Sequence, residues 1–277
     1  MEQTLADWYK WPGQGRPGSE VPSDIRADIP HPARVYDYYL GGKDNFAADR
    51  DAAEWALQLL PQLRDYARGN RTFMVRATRF LREAGIRQFL DIGSGFPTSP
   101  NVHEVAQEAD PSNRVVYVDN DPMVVVHAAA LMATSASTRA VCADLRDEET
   151  VLGDAGKLLD FTQPVALMFV ACLHHIPDED DPAGIVARYL AHVAPGSHLV
   201  LSHYTDEFAP ERVRAHEEEA RRRHSSVTGR SKEAITAMFN GRELLDPGLV
   251  LVNYWRPATS PGPNAGQAWA YGGVARI

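Results

Sequence analysis

The sequence predicts an α/β protein built on a doubly wound parallel sheet. Short apolar runs alternate with segments of helical periodicity from about residue 88 onwards, and three of these runs end in an acidic residue. The run at 165–170, Val-Ala-Leu-Met-Phe-Val, is apolar throughout, as a strand covered on both faces must be.

The elements follow in chain order. Residues 1–28 carry Pro12, Gly13, Gly15, Pro17, Gly18 and Pro22, which break any regular pattern, so this stretch reads as a disordered tail. Trp8, Tyr9 and Trp11 within it are candidates to pack on the domain surface or meet a partner. Residues 29–85 read as a helical extension. Pro32 opens a helix over 33–40 that Gly41-Gly42 stops; Asp49 caps a second, ending before Pro61; a third runs over about 70–84, with Gly85 as its C-terminal cap. Residues 86–277 form the core. Strands are predicted at 88–92, 115–118, 139–143, 165–170 and 198–202. Helices are predicted between them at 102–108, 122–134, 147–159 and 183–192. Two more helices, at 207–224 and 231–239, precede a closing pair of strands at 249–254 and 269–275, joined through a Pro- and Gly-rich hairpin.

Composition narrows the function. The formal net charge of −9 gives no general basic footprint for nucleic acid. The dense basic run, Arg221-Arg222-Arg223, follows Glu217-Glu218-Glu219, so three weak i,i+4 pairs on a solvated helix face account for it. Cys142 and Cys172 fall in predicted buried strands without metal-ligand spacing, and they read as reduced core thiols. No metal site is predicted. With neither a signal peptide nor a membrane-length apolar run, the expected location is the cytoplasm, without membrane association.

The chemistry is carried by the acids. Asp91 closes the first strand and runs into Ile92-Gly93-Ser94-Gly95; Asp119 closes the second, before Asn120; Asp144 follows the third, before Leu145. In a doubly wound sheet ligands bind outside the carboxyl ends of the strands, so the three acids share one crevice. Glycines at the first turn let a nucleoside approach the main chain. Asp119 is suited to accept from both ribose hydroxyls, and Asp144 from an adenine amino group. Three acids favour a cationic ligand rich in hydroxyls, and S-adenosylmethionine (SAM) fits better than a dinucleotide carrying a pyrophosphate. The third glycine of GxGxxG is also missing, since the run reads Gly93-Ser94-Gly95-Phe96-Pro97-Thr98.

The chain resembles a class I SAM-dependent methyltransferase family first catalogued as a bacterial domain of unknown function. The resemblance rests on Pro32-Ala33-Arg34-Val35-Tyr36-Asp37-Tyr38-Tyr39-Leu40-Gly41-Gly42-Lys43-Asp44-Asn45-Phe46, Phe89-Leu90-Asp91-Ile92-Gly93-Ser94-Gly95 and Asn101-Val102-His103-Glu104-Val105-Ala106. It rests also on Tyr117-Val118-Asp119-Asn120-Asp121-Pro122, His198-Leu199-Val200-Leu201-Ser202-His203 and Tyr271-Gly272-Gly273-Val274, so it spans nearly everything after Pro30. It implies a Rossmann-like sheet of seven strands with the last antiparallel. It also implies SAM held by Asp91, Gly93, Gly95, Asp119, Asp144 and Leu145, with Ser94 and Asn120 in the same crevice. Pro97 stands where the wider class often has a third glycine.

Methyl transfer from a sulfonium is an in-line displacement that needs the acceptor aligned and, for oxygen or nitrogen, a base for its proton. The acceptor side lies beyond the fourth strand, where His174 and His175 are the base candidates. The plain alternative is that one caps the turn and the other packs on the cofactor. The Asn/Asp-Pro-Pro-aromatic run shared by enzymes that methylate DNA bases is absent there. His203 and Tyr204 form a second candidate pair. Tyr36 and Tyr39 are expected to line an aromatic wall, Gly42 to let the backbone turn near the ligand, and Lys43 to pair with the methionine carboxylate. His103 is a further candidate contact. The expected function is methyl transfer to O or N of a small molecule. The alternatives are a non-catalytic SAM-binding regulatory protein and an NAD(P)-dependent oxidoreductase. The sequence leaves oligomeric state open.

Overall fold

The computed structural model describes residues 26–131, 135–262 and 265–277. The predicted tail, with Trp8, Tyr9 and Trp11, lies almost entirely outside them. Three helices come first: α1 (Pro32–Leu40), α2 (Ala47–Leu59) and α3 (Leu63–Glu83). Strands and helices then alternate as β1 (Gln88–Ile92), α4 (Val102–Gln107), β2 (Arg114–Asp119), α5 (Pro122–Leu131), β3 (Thr138–Cys142), α6 (Glu148–Ala155), β4 (Ala166–Val170), α7 (Pro182–Leu190) and β5 (His198–Tyr204). The chain closes with α8 (Pro210–Arg222), α9 (Lys232–Ala237), β6 (Val250–Leu251) and β7 (Ala270–Arg276).

The seven strands form one sheet in the order β3-β2-β1-β4-β5-β7-β6, with β7 antiparallel to both neighbours. This is the class I methyltransferase arrangement that the resemblance implies. Period-2 alternation sorts the strand residues onto two faces. Phe89, Val115, Ala166, Met168 and Val200 join Phe73, Met74, Ala77 and Leu81 of α3 in one core. Leu90, Ile92, Val116, Leu167, Phe169 and Leu199 join residues of α6, α7 and α9 in the other. Every residue of β1 is buried, because β2 and β4 flank it and helices cover both faces.

Several elements depart from expectation for local reasons. Helix α3 begins seven residues before the expected start and runs through Gly69. A Cβ there would lie 2.8 Å from Ala268 Cβ, so the glycine permits close packing and does not break the helix. β6 keeps only two residues. The chain then turns into a short 3-10 helix over Val252–Tyr254, whose Val252 and Trp255 carbonyls accept from Arg76 at 2.5 and 2.8 Å. α8 is shorter than predicted at both ends, starting at Pro210, whose missing N–H costs nothing in the first turn. Two of its three expected pairs form, Glu217–Arg221 at 3.9 Å and Glu219–Arg223 at 2.7 Å, while Arg222 turns to Glu219 instead of Glu218. Cys142 ends β3 only half-buried, and Cys172 lies two residues beyond β4, in the buried turn that follows it. No helix among the described residues is long and apolar enough to cross a membrane.

Candidate active site

The parallel order β3-β2-β1-β4 brings four carboxyl strand ends together, and the chain reverses its winding direction between β1 and β4. A cavity of about 560 Å³ opens there, within the range of cofactor-sized pockets. Asp91, Gly93, Ser94, Gly95, Asp119, Asn120, Asp144 and Leu145 all line it, as do His175 and Tyr36.

The glycine turn is built from the main chain upward. Gly93 and Ser94 donate their N–H groups to the Val118 carbonyl at 2.8 and 3.0 Å, which ties the turn to β2. Both glycines are left-handed, at φ +68° and +65°. They serve different purposes. A Cβ on Gly93 would lie 2.4 Å from Cys172 Cβ, so Gly93 lets the turn after β4 pack close. A Cβ on Gly95 would meet no atom of the described residues within 4 Å, and so would project into open space. The cradle on the ligand side is therefore Gly95.

Asp119 partly holds this cradle. Its Oδ2 accepts from Gly95 N at 2.8 Å and its Oδ1 from Asp121 N at 2.9 Å, and burial still pushes its carboxyl up. The Asp91 carboxylate has no hydrogen-bond partner among the described residues. Burial lifts it to about 7, Asp119 adding to the rise and Arg71 opposing it. Asp144 differs: Arg146 donates to it from its backbone N and two guanidinium nitrogens, which holds the carboxyl below its ordinary range. Both Asp144 oxygens are thus already engaged, a partner that sequence reasoning missed.

The rest of the cavity comes from the N-terminal elements. Arg26 and residues 29–34 line it, together with Asn70, Arg71 and Met74 of α3. The segment is anchored from below. His31 N donates to Asp49 Oδ1 at 2.8 Å, and Arg34 Nη2 donates to the carbonyls of Arg26 and Ile29. Asp49 therefore caps two main-chain N–H groups, of Phe46 and His31. Arg71 donates to the carbonyls of Thr98 and Pro100 and faces Asp91. The signal for Asn70 and Arg71 was a polar pair at the edge of an otherwise apolar helix face.

Gly42 and Lys43 do not line this cavity. Asp37 organises their turn: Gly42 N donates to its carbonyl, and its Oδ2 accepts from Asp44 N and Asn45 Nδ2. A Cβ on Gly42 would lie 1.8 Å from Asp37 Oδ1, so this glycine serves close packing and the expectation of a ligand contact is corrected. His103 lines a small pocket with Arg71, Asp91, Ser94 and Gly95, its N and Nδ1 lying 2.7 and 2.8 Å from Tyr117 Oη.

A second, smaller chamber of about 80 Å³ adjoins the cavity and shares Pro30, Pro32, Tyr36, His175, Ser225 and Ser226 with it. Tyr39, Tyr204 and His174 line this chamber and not the larger one. His175 stands at the junction. Its Nδ1 lies 2.6 Å from the Ser226 carbonyl, which can only accept, so Nδ1 carries the hydrogen and Nε2 keeps the lone pair. Burial lowers its pKa to about 4. His203 reaches neither chamber. It is fully buried with both ring nitrogens bonded, which removes it as a substrate contact.

The comparisons with known proteins agree with this architecture. A model of the S-adenosyl methyltransferase family matches residues 18–277. The chain is similar to a DUF574 family protein of solved structure from Streptomyces avermitilis MA-4680, with 42% identity, 90% of this chain and 98% of that chain covered, and a TM-score of 0.85. It is also similar to a provisionally assigned methyltransferase from Thermobifida fusca YX, with 40% identity, 94% and 99% covered, and a TM-score of 0.86. A comparison with curated proteins gives no match.

Proposed function

Because the chain belongs to the S-adenosyl methyltransferase family, we propose that it binds SAM in the larger cavity and methylates an oxygen or nitrogen of a small molecule held beside it. Residues 86–277 act as the catalytic core, and 29–85 as a cap over it. The observation that carries this reading is the meeting of Asp91, Asp119 and the open face of Gly95 on one cavity of about 560 Å³.

The residues suit the cofactor. Asp91, uncapped, receives its ammonium group, and Arg71, with donors to spare beyond two carbonyls, receives its carboxylate. The carboxylate assigned from sequence to Lys43 thus passes to Arg71. Asp119 accepts from the ribose, Gly95 leaves room for the main-chain approach, and Leu145 covers the base. Bound there, SAM supplies a methyl carbon on a positively charged sulfur, and the acceptor atom that displaces the sulfur must lose its proton. Nε2 of His175 is where that proton goes, since Ser226 fixes the tautomer and the ring stands between the two chambers. His174 positions the neighbouring wall.

Calorimetric titration of wild type and Asp91→Asn with SAM and S-adenosylhomocysteine tests the reading. Wild type is expected to bind both, and the variant to bind SAM roughly tenfold more weakly, the loss of one charge-assisted hydrogen bond. Folded wild type that binds neither would overturn it.

A further inference from the structure

The smaller chamber has a chemistry of its own. Aromatic rings make much of its wall: Tyr36 meets Tyr66 edge to face at 6.1 Å, Tyr66 meets Tyr204 at 5.6 Å, and Trp55 lies 6.4 Å from His216. Three fully buried polar atoms of residues on this wall have no hydrogen-bond partner among the described residues: His174 Nδ1, Tyr204 Oη and His216 Nδ1. His174 and Tyr204 are 3% and 2% exposed, so each such atom costs free energy until a ligand satisfies it.

Among the described residues the wall also lacks free charge. Its two ionic residues, Glu219 and Arg223, are paired with each other at 2.7 Å, and Glu219 binds Arg222 as well. Burial holds His174, His175 and His216 below their ordinary range, hence neutral near pH 7. An ionised ligand would find no countercharge and would lose its hydration. Size narrows the occupant further. At about 80 Å³ the chamber is smaller than the ~150 Å³ dry cavity that encloses a benzene ring, so it takes part of one ring while the remainder lies at the His175 junction.

We propose that this chamber is the acceptor site and that it takes an uncharged, single-ring aromatic molecule carrying a hydroxyl group besides its acceptor atom, so that the hydroxyl pairs with His174, Tyr204 or His216 while the acceptor atom lies at the His175 junction. The assignment rests on the methyltransferase reading for the word acceptor, but the binding chemistry stands on the chamber alone. A planar ring matches the edge-to-face walls, and a hydroxyl both donates and accepts, which suits unpartnered imidazole and phenol groups.

Phenol, benzoate and benzylammonium share one ring and differ in charge. Their affinities would be measured on the full chain by ligand-observed NMR, with and without S-adenosylhomocysteine. Phenol is expected to bind at least tenfold more tightly than either ion in both conditions. Ala220 lines the chamber and not the larger cavity, so Ala220→Leu is expected to weaken phenol at least tenfold and leave S-adenosylhomocysteine binding unchanged. Tyr204→Phe, which removes an unpartnered buried hydroxyl and so keeps the fold, is expected to weaken phenol severalfold. Equal binding of an ion, or phenol binding unaffected by Tyr204→Phe and Ala220→Leu, would overturn the proposal. Failure of S-adenosylhomocysteine to bind while phenol selectivity persists would sink the cofactor reading and leave the chamber assignment standing.

Discussion

Arg230 donates from Nη1 to His203 Nε2 across 2.8 Å, while His203 Nδ1 donates to the Tyr204 carbonyl at 2.6 Å. The histidine thereby acts as a spacer between strand β5 and a buried guanidinium. Arg230 also donates to the carbonyls of Leu173 and Ile176 and to Asp178 Oδ1, so one side chain clamps the turn that carries His174 and His175.

Replacing Arg230 by Met leaves the Ile176 carbonyl and the His203 imidazole without a donor, while the Leu173 carbonyl keeps the Ile176 N–H at 3.1 Å. The expected cost is about 2–4 kcal/mol, since each buried group left unpaired costs ~1–3 kcal/mol and part is regained by rearrangement. Urea unfolding of wild type and variant measures it; a loss within the error of the fit would show that the clamp carries no stability.

The two glycines of the turn are expected to fail differently. Gly93→Ala drives a Cβ into Cys172 and is expected to lower the melting temperature, with partial recovery in the Gly93→Ala/Cys172→Gly double variant. Gly95→Ala meets no protein atom, so beyond a left-handed strain of roughly 1–2 kcal/mol its main effect is at least a tenfold loss of S-adenosylhomocysteine affinity. Thermal melts and calorimetry on the same variants separate the outcomes.

On the proposed cofactor assignment, Asp91 is expected to make SAM affinity pH-dependent. With its carboxyl raised to about 7 by burial, the free protein holds a proton there below pH 7. A cationic ligand requires the carboxylate, so binding must expel that proton. Affinity is expected to rise between pH 5.5 and 7 and then level, with proton release detectable by calorimetry in buffers of different ionisation enthalpy. Asp91→Asn should abolish both effects.

With His175 as the proposed base, it is expected to set the acid limit of turnover. Burial holds it near 4, so the ring is neutral across the physiological range and becomes unable to accept a proton only under acid conditions. At saturating cofactor, kcat is expected to stay level down to about pH 5 and to fall below that, rather than through the ordinary histidine range near 6.5. His175→Asn is expected to reduce kcat by roughly 10²–10⁴. A wild-type profile that breaks near 6.5 would remove His175 as the base.

Legibility in the sequence followed distance along the chain. The order of the elements and the acids at the strand ends were readable because a strand, its terminal acid and the following turn are contiguous. What joins distant residues was not. The tautomer of His175 depends on Ser226, fifty-one positions away, and the burial of His203 depends on Arg230. The Tyr-Asp-Tyr-Tyr-Leu-Gly-Gly-Lys motif was visible but its purpose was not, because Asp37 folds the turn back on itself. Asp144 looked free only because Arg146, two residues on, could as well have pointed to solvent.

The origin of each wall bears on how such a protein diversifies. The floor of the larger cavity comes from the ends of β1, β2 and β3, where a change disturbs the sheet itself. The smaller chamber borrows most of its surface from α1, α2, α3 and α8. On the proposed assignment, substitutions on those helices are expected to alter what is modified while leaving the donor site untouched.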